Sequence, residues 1–252
     1  MSDKSWNLIC RKYRIYEHDF AKGPFILTAA QIKEATKRLP STGEREVRIL
    51  CKQDSRADRP KCFRDRNLFL LPIRNGEYAI LEGEGYVDIP PRTGKPKPYK
   101  SKLKFDLLSS KIGDSEMQHL DKAYASSVLR TFMGDPSLVL TIRGRKYTPG
   151  FHFHAGSHRH QISTQSVQTE VDGGYEGTNQ IVLVEAKNSS ATDTIIRQLY
   201  YPMRQWSVCG KKVRLVFFEH QDGVATLREF FFKDQLDYHS IQIGRQESYL
   251  LA

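Results

Sequence analysis

The run Ile181, Val182, Leu183, Val184 constrains this 252-residue chain more than any other stretch. It is apolar without alternation, so a strand here must be covered on both faces and lie between layers of other structure. It ends at once in Glu185, Ala186 and Lys187. Two charged side chains two positions apart leave a strand on the same face, here where a buried run would make charge costly. Upstream, Val167, Thr169 and Val171 alternate with Gln168, Glu170 and Asp172, which predicts a strand whose polar set ends in Asp172, with a turn at Gly173-Gly174. Downstream, Ser190 or Asp193 caps a predicted helix with Ile195, Ile196, Leu199, Met203 and Trp206 on its core side. Pro202 should kink it, and Arg197, Gln198 and Arg204 fall off the apolar stripe.

Two carboxylates converging beside an ammonium suit a hard divalent ion. Asp172, Glu185 and the Ala186 carbonyl would hold magnesium, with manganese able to replace it, while Lys187 orients or deprotonates a water. The matching chemistry is phosphodiester hydrolysis.

Asp172, thirteen positions before Glu185-Ala186-Lys187, resembles the active-site motif of the PD-(D/E)XK nuclease superfamily, particularly its type II restriction endonucleases. Gln198, just before Leu199, Tyr200 and Tyr201, is similar to the glutamine that many members carry on the following helix. Val171 stands where a proline often precedes the aspartate, and the resemblance spans roughly Ile162 to Glu219. It implies an α/β (α+β) core over residues 105 to 252, with a mixed central β-sheet flanked by helices. It also implies a magnesium-dependent enzyme that cuts double-stranded DNA at a specific site, with Asp172, Glu185, Lys187 and Gln198 catalytic and no organic cofactor. Glu116 or Glu170 would be an additional acid. A homodimer is expected, because two-fold-related sites most simply cut both strands of a palindrome. Two rivals stand beside it: a repair or recombination nuclease of the same core that selects by structure or mismatch, and a non-enzymatic DNA-binding regulator in which these charges are only solvated.

The 39 Lys and Arg residues outnumber the 29 Asp and Glu residues, a net charge of +10 that fits a protein neutralising phosphates. No run of eighteen apolar residues exists and the first residues lack the apolar core of a signal peptide, so a soluble protein of the prokaryotic cytoplasm, with no membrane partner, is expected. Cys10, Cys51, Cys62 and Cys209 are scattered without paired metal spacing and read as free thiols.

Thr28 and Gln31 form a capping-box pattern for a helix from Thr28 to Leu39. Glu46 to Cys51 reads as a strand, and Asn67 to Leu71 and Glu77 to Leu81 flank the hairpin signal Asn75-Gly76. A small helix, a hairpin and the basic residues Arg56, Arg59, Lys61 and Arg64 resemble the helix-plus-wing layout of winged-helix modules, giving a small N-terminal α+β module over residues 1 to 95 that contacts DNA. Residues 96 to 104, rich in Lys and Pro, read as an exposed basic linker. A helix from Asp114 or Ser115 to about Phe132 and a strand Leu138 to Ile142 follow. Next comes a stretch read as a loop, carrying Arg143, Arg145, Lys146, His158 and Arg159 as candidate DNA-reading residues. His152, His154, His158 and His160 suggest a rival metal site as in cupin-like barrels, but His158 stands where that pattern wants a glutamate. Val213 to Phe218 and Ala225 to Phe232 form a predicted hairpin around Asp222-Gly223.

Overall fold

The structure is a computed structural model that describes residues 2–251. Its first part contains α1 (Ser2–Lys12), β1 (Phe25–Thr28), α2 (Ala29–Thr36), α3 (Val47–Leu50), α4 (Lys61–Arg64), β2 (Leu68–Arg74) and β3 (Glu77–Glu82), with the antiparallel strands ordered β1-β3-β2. The Thr28–Gln31 capping box starts α2 as its sequence predicts. The expected strand at Glu46 to Cys51 is instead α3, because Val47 and Leu50 reach the core at helical spacing while Ile49 stays exposed. Strand β2 is apolar on both faces for a reason. Leu68 and Leu70 face a core with Trp6, Ile9, Leu27, Ile32, Phe63 and Ile80, whereas Phe69 and Leu71 enter the core of the second part.

The second part contains β4 (Tyr86–Asp88), β5 (Lys97–Tyr99), α5 (Glu116–Ala125), α6 (Val128–Met133), β6 (Val139–Tyr147), β7 (Phe151–Ala155), β8 (His160–Thr164), β9 (Gln168–Glu176), β10 (Gln180–Lys187), β11 (Asp193–Ile195), α7 (Arg197–Trp206), β12 (Lys212–Gln221), β13 (Val224–Phe232) and β14 (Ile241–Leu251). Seven strands form one mixed sheet in the order β5-β14-β13-β12-β10-β9-β6, with β10 parallel to β12 and antiparallel to β9. On β10, Ile181 and Leu183 pack toward α7, while Val182, Val184 and Ala186 pack toward α5 and α6. Each of these Ile, Leu and Val side chains stabilises the fold by about 2 kcal/mol. The molecule is a mixed α+β protein whose large sheet is flanked by helices, and no helix is long and apolar enough to cross a membrane.

Several local expectations change. Strand β9 runs through Gly173 and Gly174, which serve close packing rather than a turn: a Cβ on Gly174 would lie 2.5 Å from the Ile142 Cβ, and one on Gly173 2.8 Å from the Tyr175 hydroxyl. The expected single helix to Phe132 is broken at Ser127, whose φ is 69°. Residues 143 to 161 are no loop but the end of β6 and the antiparallel pair β7–β8. Residues 97 to 99 of the expected linker pair with β14 at the edge of the sheet. Asp193 to Ile195 joins β4 as a strand, so α7 begins only at Arg197, with Pro202 inside it.

Candidate active site

Strand β10 delivers Glu185 and Lys187 to its C-terminal end, where the crossover through β11 and α7 turns back over the sheet. The Lys187 ammonium donates to Glu185 Oε1 at 2.6 Å and to the Ala186 carbonyl at 3.1 Å. Gln198, the second residue of α7, donates its amide to the same Glu185 oxygen at 2.8 Å. Its own carbonyl oxygen accepts from the Thr194 hydroxyl at 2.6 Å, which fixes the amide orientation. From β9, Asp172 Oδ2 accepts from the Ala186 amide at 2.8 Å. The four residues that the motif singles out therefore meet through hydrogen bonds.

Burial sets the electrostatics. It pushes the Glu185 carboxyl up to about 7, against the pull of Lys187, and pushes Asp172 above the ordinary aspartate range. Burial also opposes the charge on Lys187, but Glu185, Glu116 and Asp172 outweigh it and hold the ammonium above its ordinary value. Lys187 so held donates hydrogen bonds to Glu185 and Ala186. Two buried carboxylates raised in this way mark a site short of positive charge, and the oxygen donors of Asp172, Glu185 and Ala186 suit a hard cation. The ammonium already touches two of these groups. Among the described residues no three His, Cys, Asp or Glu side chains gather as a cage, so a magnesium ion held here would retain waters.

The cluster lies on the floor of a cleft of about 900 Å3 between the two parts of the chain. Glu116 lines it from the first turn of α5, and Glu170 lines it beside Arg145, with which it pairs at 3.3 Å. The opposite wall comes from α2, α3 and the β2–β3 turn, and carries Lys33, Arg48, Lys52 and Arg74. Lys33 has no ion pair or hydrogen bond among the described residues, and the other three have exposed pairs of 3.8 to 4.0 Å. Nothing in the sequence marks these four, which are isolated cations on separate elements.

The expected DNA contacts of the first part lie elsewhere. Arg56 binds Glu84, Asp88 and Asp193, which bolts β4 and β11 together. Arg59 is buried, with its guanidinium 4.9 Å from the centre of the Tyr86 ring. Lys61 pairs with Asp65 and Arg64 donates to the Arg59 carbonyl. In the second part, Arg143 donates to the Asp172 carbonyl at 3.2 Å and pairs with Asp121, close to the site, whereas Lys146 is exposed outside the cleft lining. His158 and Arg159 are not part of the cleft lining: the β7–β8 turn that holds them reaches Glu82 through His158 and Asp237 through Arg159. His160 donates to the Phe20 carbonyl at 2.7 Å, so the histidine-rich stretch fastens this hairpin to its neighbours.

Residues 81–250 match a family model described as a domain of unknown function, DUF6997. The chain belongs to the DUF6997 family. Residues 3–80 match a second domain of unknown function, DUF6996, and the two matches meet inside β3. No curated protein and no solved structure matches this DUF6997 chain.

Proposed function

We propose that this protein is a magnesium-dependent nuclease of the PD-(D/E)XK type that hydrolyses phosphodiester bonds of double-stranded DNA, with a type II restriction endonuclease as the first reading. One observation carries the proposal: Asp172, Glu185, Lys187 and Gln198, from two strands and a helix, gather in a cleft, Lys187 and Gln198 on the Glu185 carboxylate and Asp172 and Lys187 on the Ala186 main chain. Asp172, Glu185 and the Ala186 carbonyl would hold the metal, which when bound lowers the pKa of a coordinated water and offsets charge on the phosphate. Gln198 orients Glu185, and Lys187 holds a positive charge where the phosphate gains negative charge. The chain's charge of +10 and the cations of the cleft wall support a polyanionic substrate. The N-terminal strand order and element order are similar to a winged-helix module.

A second reading, a nuclease that selects by DNA structure, is favoured by the position of His158 and Arg159, two intended base readers that the β7–β8 turn engages outside the cleft lining. Incubating supercoiled plasmid and a branched or mismatched duplex with magnesium separates the two, since discrete plasmid bands fit restriction and cleavage of the irregular duplex alone fits repair. Lys187→Ala should cut about 100- to 1,000-fold more slowly while binding DNA as before. Wild-type cleavage rates in that variant, folded by circular dichroism, would remove the active-site assignment.

A further inference from the structure

Arg197, the first residue of α7, lines the same cleft as Asp172, Glu185 and Lys187, one position before Gln198. Its side chain is only 21% exposed, yet among the described residues its sole ion pair is with Asp54 of the opposite wall, at 3.5 Å. The guanidinium has five N–H donors, makes no hydrogen bond among the described residues, and has its Nε buried without a partner. Of the four hydroxyls that feel its charge, those of Tyr78, Tyr86, Tyr201 and Tyr238, the last three are committed elsewhere. Tyr86 donates to the Gln53 carbonyl at 3.0 Å, Tyr201 to Pro72 at 2.9 Å and Tyr238 to Gly85 at 3.4 Å. Buried donors are ordinarily satisfied, and a guanidinium fork matches two oxygens of a phosphate.

We infer that Arg197 is a phosphate ligand for the DNA strand in the cleft, with Asp54 a place-holding carboxylate that the phosphate displaces. This rests on the nuclease reading for the identity of the anion. At Arg197 itself the opposite wall contributes Asp54, whose main-chain carbonyl accepts from the Ile195 amide at 2.8 Å, which holds the carboxylate against the start of α7. A duplex suits this cleft better than a single strand, because only two aromatic residues line it and they form no run of faces for successive bases to stack on. The aromatic residues that line it are Tyr78 and Tyr201; Tyr201 is 1% exposed and Tyr78 packs on the N-terminal core.

The test uses the full chain and its variants Arg197→Ala, Arg197→Lys and Asp54→Asn, binding a fluorescent DNA duplex in EDTA across a salt series. Cleavage in magnesium is measured separately. Arg197→Ala should bind about tenfold more weakly and lower the slope of log affinity against log salt by about one. Arg197→Lys should recover part of that loss, because a point charge replaces a fork. Asp54→Asn should bind at least as tightly as wild type, since the competing carboxylate is neutralised. If Asp54→Asn loses as much affinity and thermal stability as Arg197→Ala, the pair is only a strut and the proposal fails. Unchanged binding in Arg197→Ala, no binding of duplex by wild type, or tighter binding of the matching single strand would also overturn it. Loss of binding in Arg197→Ala with no cleavage by any form would end the nuclease reading and leave the phosphate site standing.

Discussion

The N-terminal part holds two sets of cations that differ in what surrounds them. Arg56, Arg59, Lys61 and Arg64 are clustered in sequence, and each is committed: to three carboxylates, to the Tyr86 ring and the Leu68 carbonyl, to Asp65, and to the Arg59 carbonyl. Lys33, Arg48, Lys52 and Arg74 are scattered over more than forty residues, and the fold gathers them on one wall of the cleft with weak partners or none. A basic run in sequence thus marks structure here, and the surface able to receive an anion is assembled from separate elements. Charges already paired in the folded chain offer little to a phosphate, because binding would first have to break those pairs.

The comparison breaks most readily at Arg59. Replacing it by Ala removes a buried side chain and its contact with Tyr86, and should destabilise the protein by about 2 to 3 kcal/mol in denaturant unfolding. Arg59→Met, which keeps the volume without an incompletely satisfied charge, should cost less than about 1 kcal/mol. DNA affinity of the folded Arg59→Met protein should equal that of wild type; a clear loss would return Arg59 to the interface. The opposite set should behave in the opposite way. Lys33→Ala, Arg48→Ala and Arg74→Ala combined should change stability by less than about 0.5 kcal/mol, as exposed side chains do. The same triple variant should lower the salt slope of DNA binding by about three, one for each cation removed. An unaltered slope would place the DNA on another face.

How far such sites could be read from sequence depends on how local their physics is. Glu185 and Lys187 were legible because strand periodicity and a buried run are properties of neighbouring residues, and Gln198 only through its resemblance to the glutamine of the following helix in PD-(D/E)XK nucleases. The mixed sheet with flanking helices was what that resemblance implied. The roles of Gly173 and Gly174 were not legible, since they depend on Ile142 and Tyr175 pressing on β9. Val47, Ile49 and Cys51 alternate as in a strand, and only the position of the core decides that Val47 and Leu50 turn inward together. His158 and Arg159 looked chemical because their partners, Glu82 and Asp237, are more than seventy residues away. Arg197 lay beside a recognised residue, but its lack of acceptors is a property of the folded surroundings.

The division between committed and idle groups extends to the histidines, and yields the smallest effect. His220 on β12 stacks on His119 of α5, with ring centroids 3.7 Å apart and planes inclined by 17°. Burial, then the charges of His119 and Lys122, depress its pKa from 6.5 to about 4, against the weaker opposing pull of Asp114 and Asp222. His119 itself is tied to Asp114 at 2.5 Å. Between pH 6.5 and about 4 the unfolded chain therefore takes up a proton at His220 that the folded chain refuses. Stability from this group is complete above pH 6.5, is lost as pH falls toward 4, and changes no further below that. For a partly exposed ring the loss should amount to about 1 kcal/mol after solvent screening. Melting temperatures of wild type and His220→Gln across this window isolate it from the carboxylates that titrate in both. The wild-type curve should fall more steeply with acid than that of the variant, and parallel curves would show that the stacked pair, like the histidines of the β7–β8 hairpin, is only a packing contact.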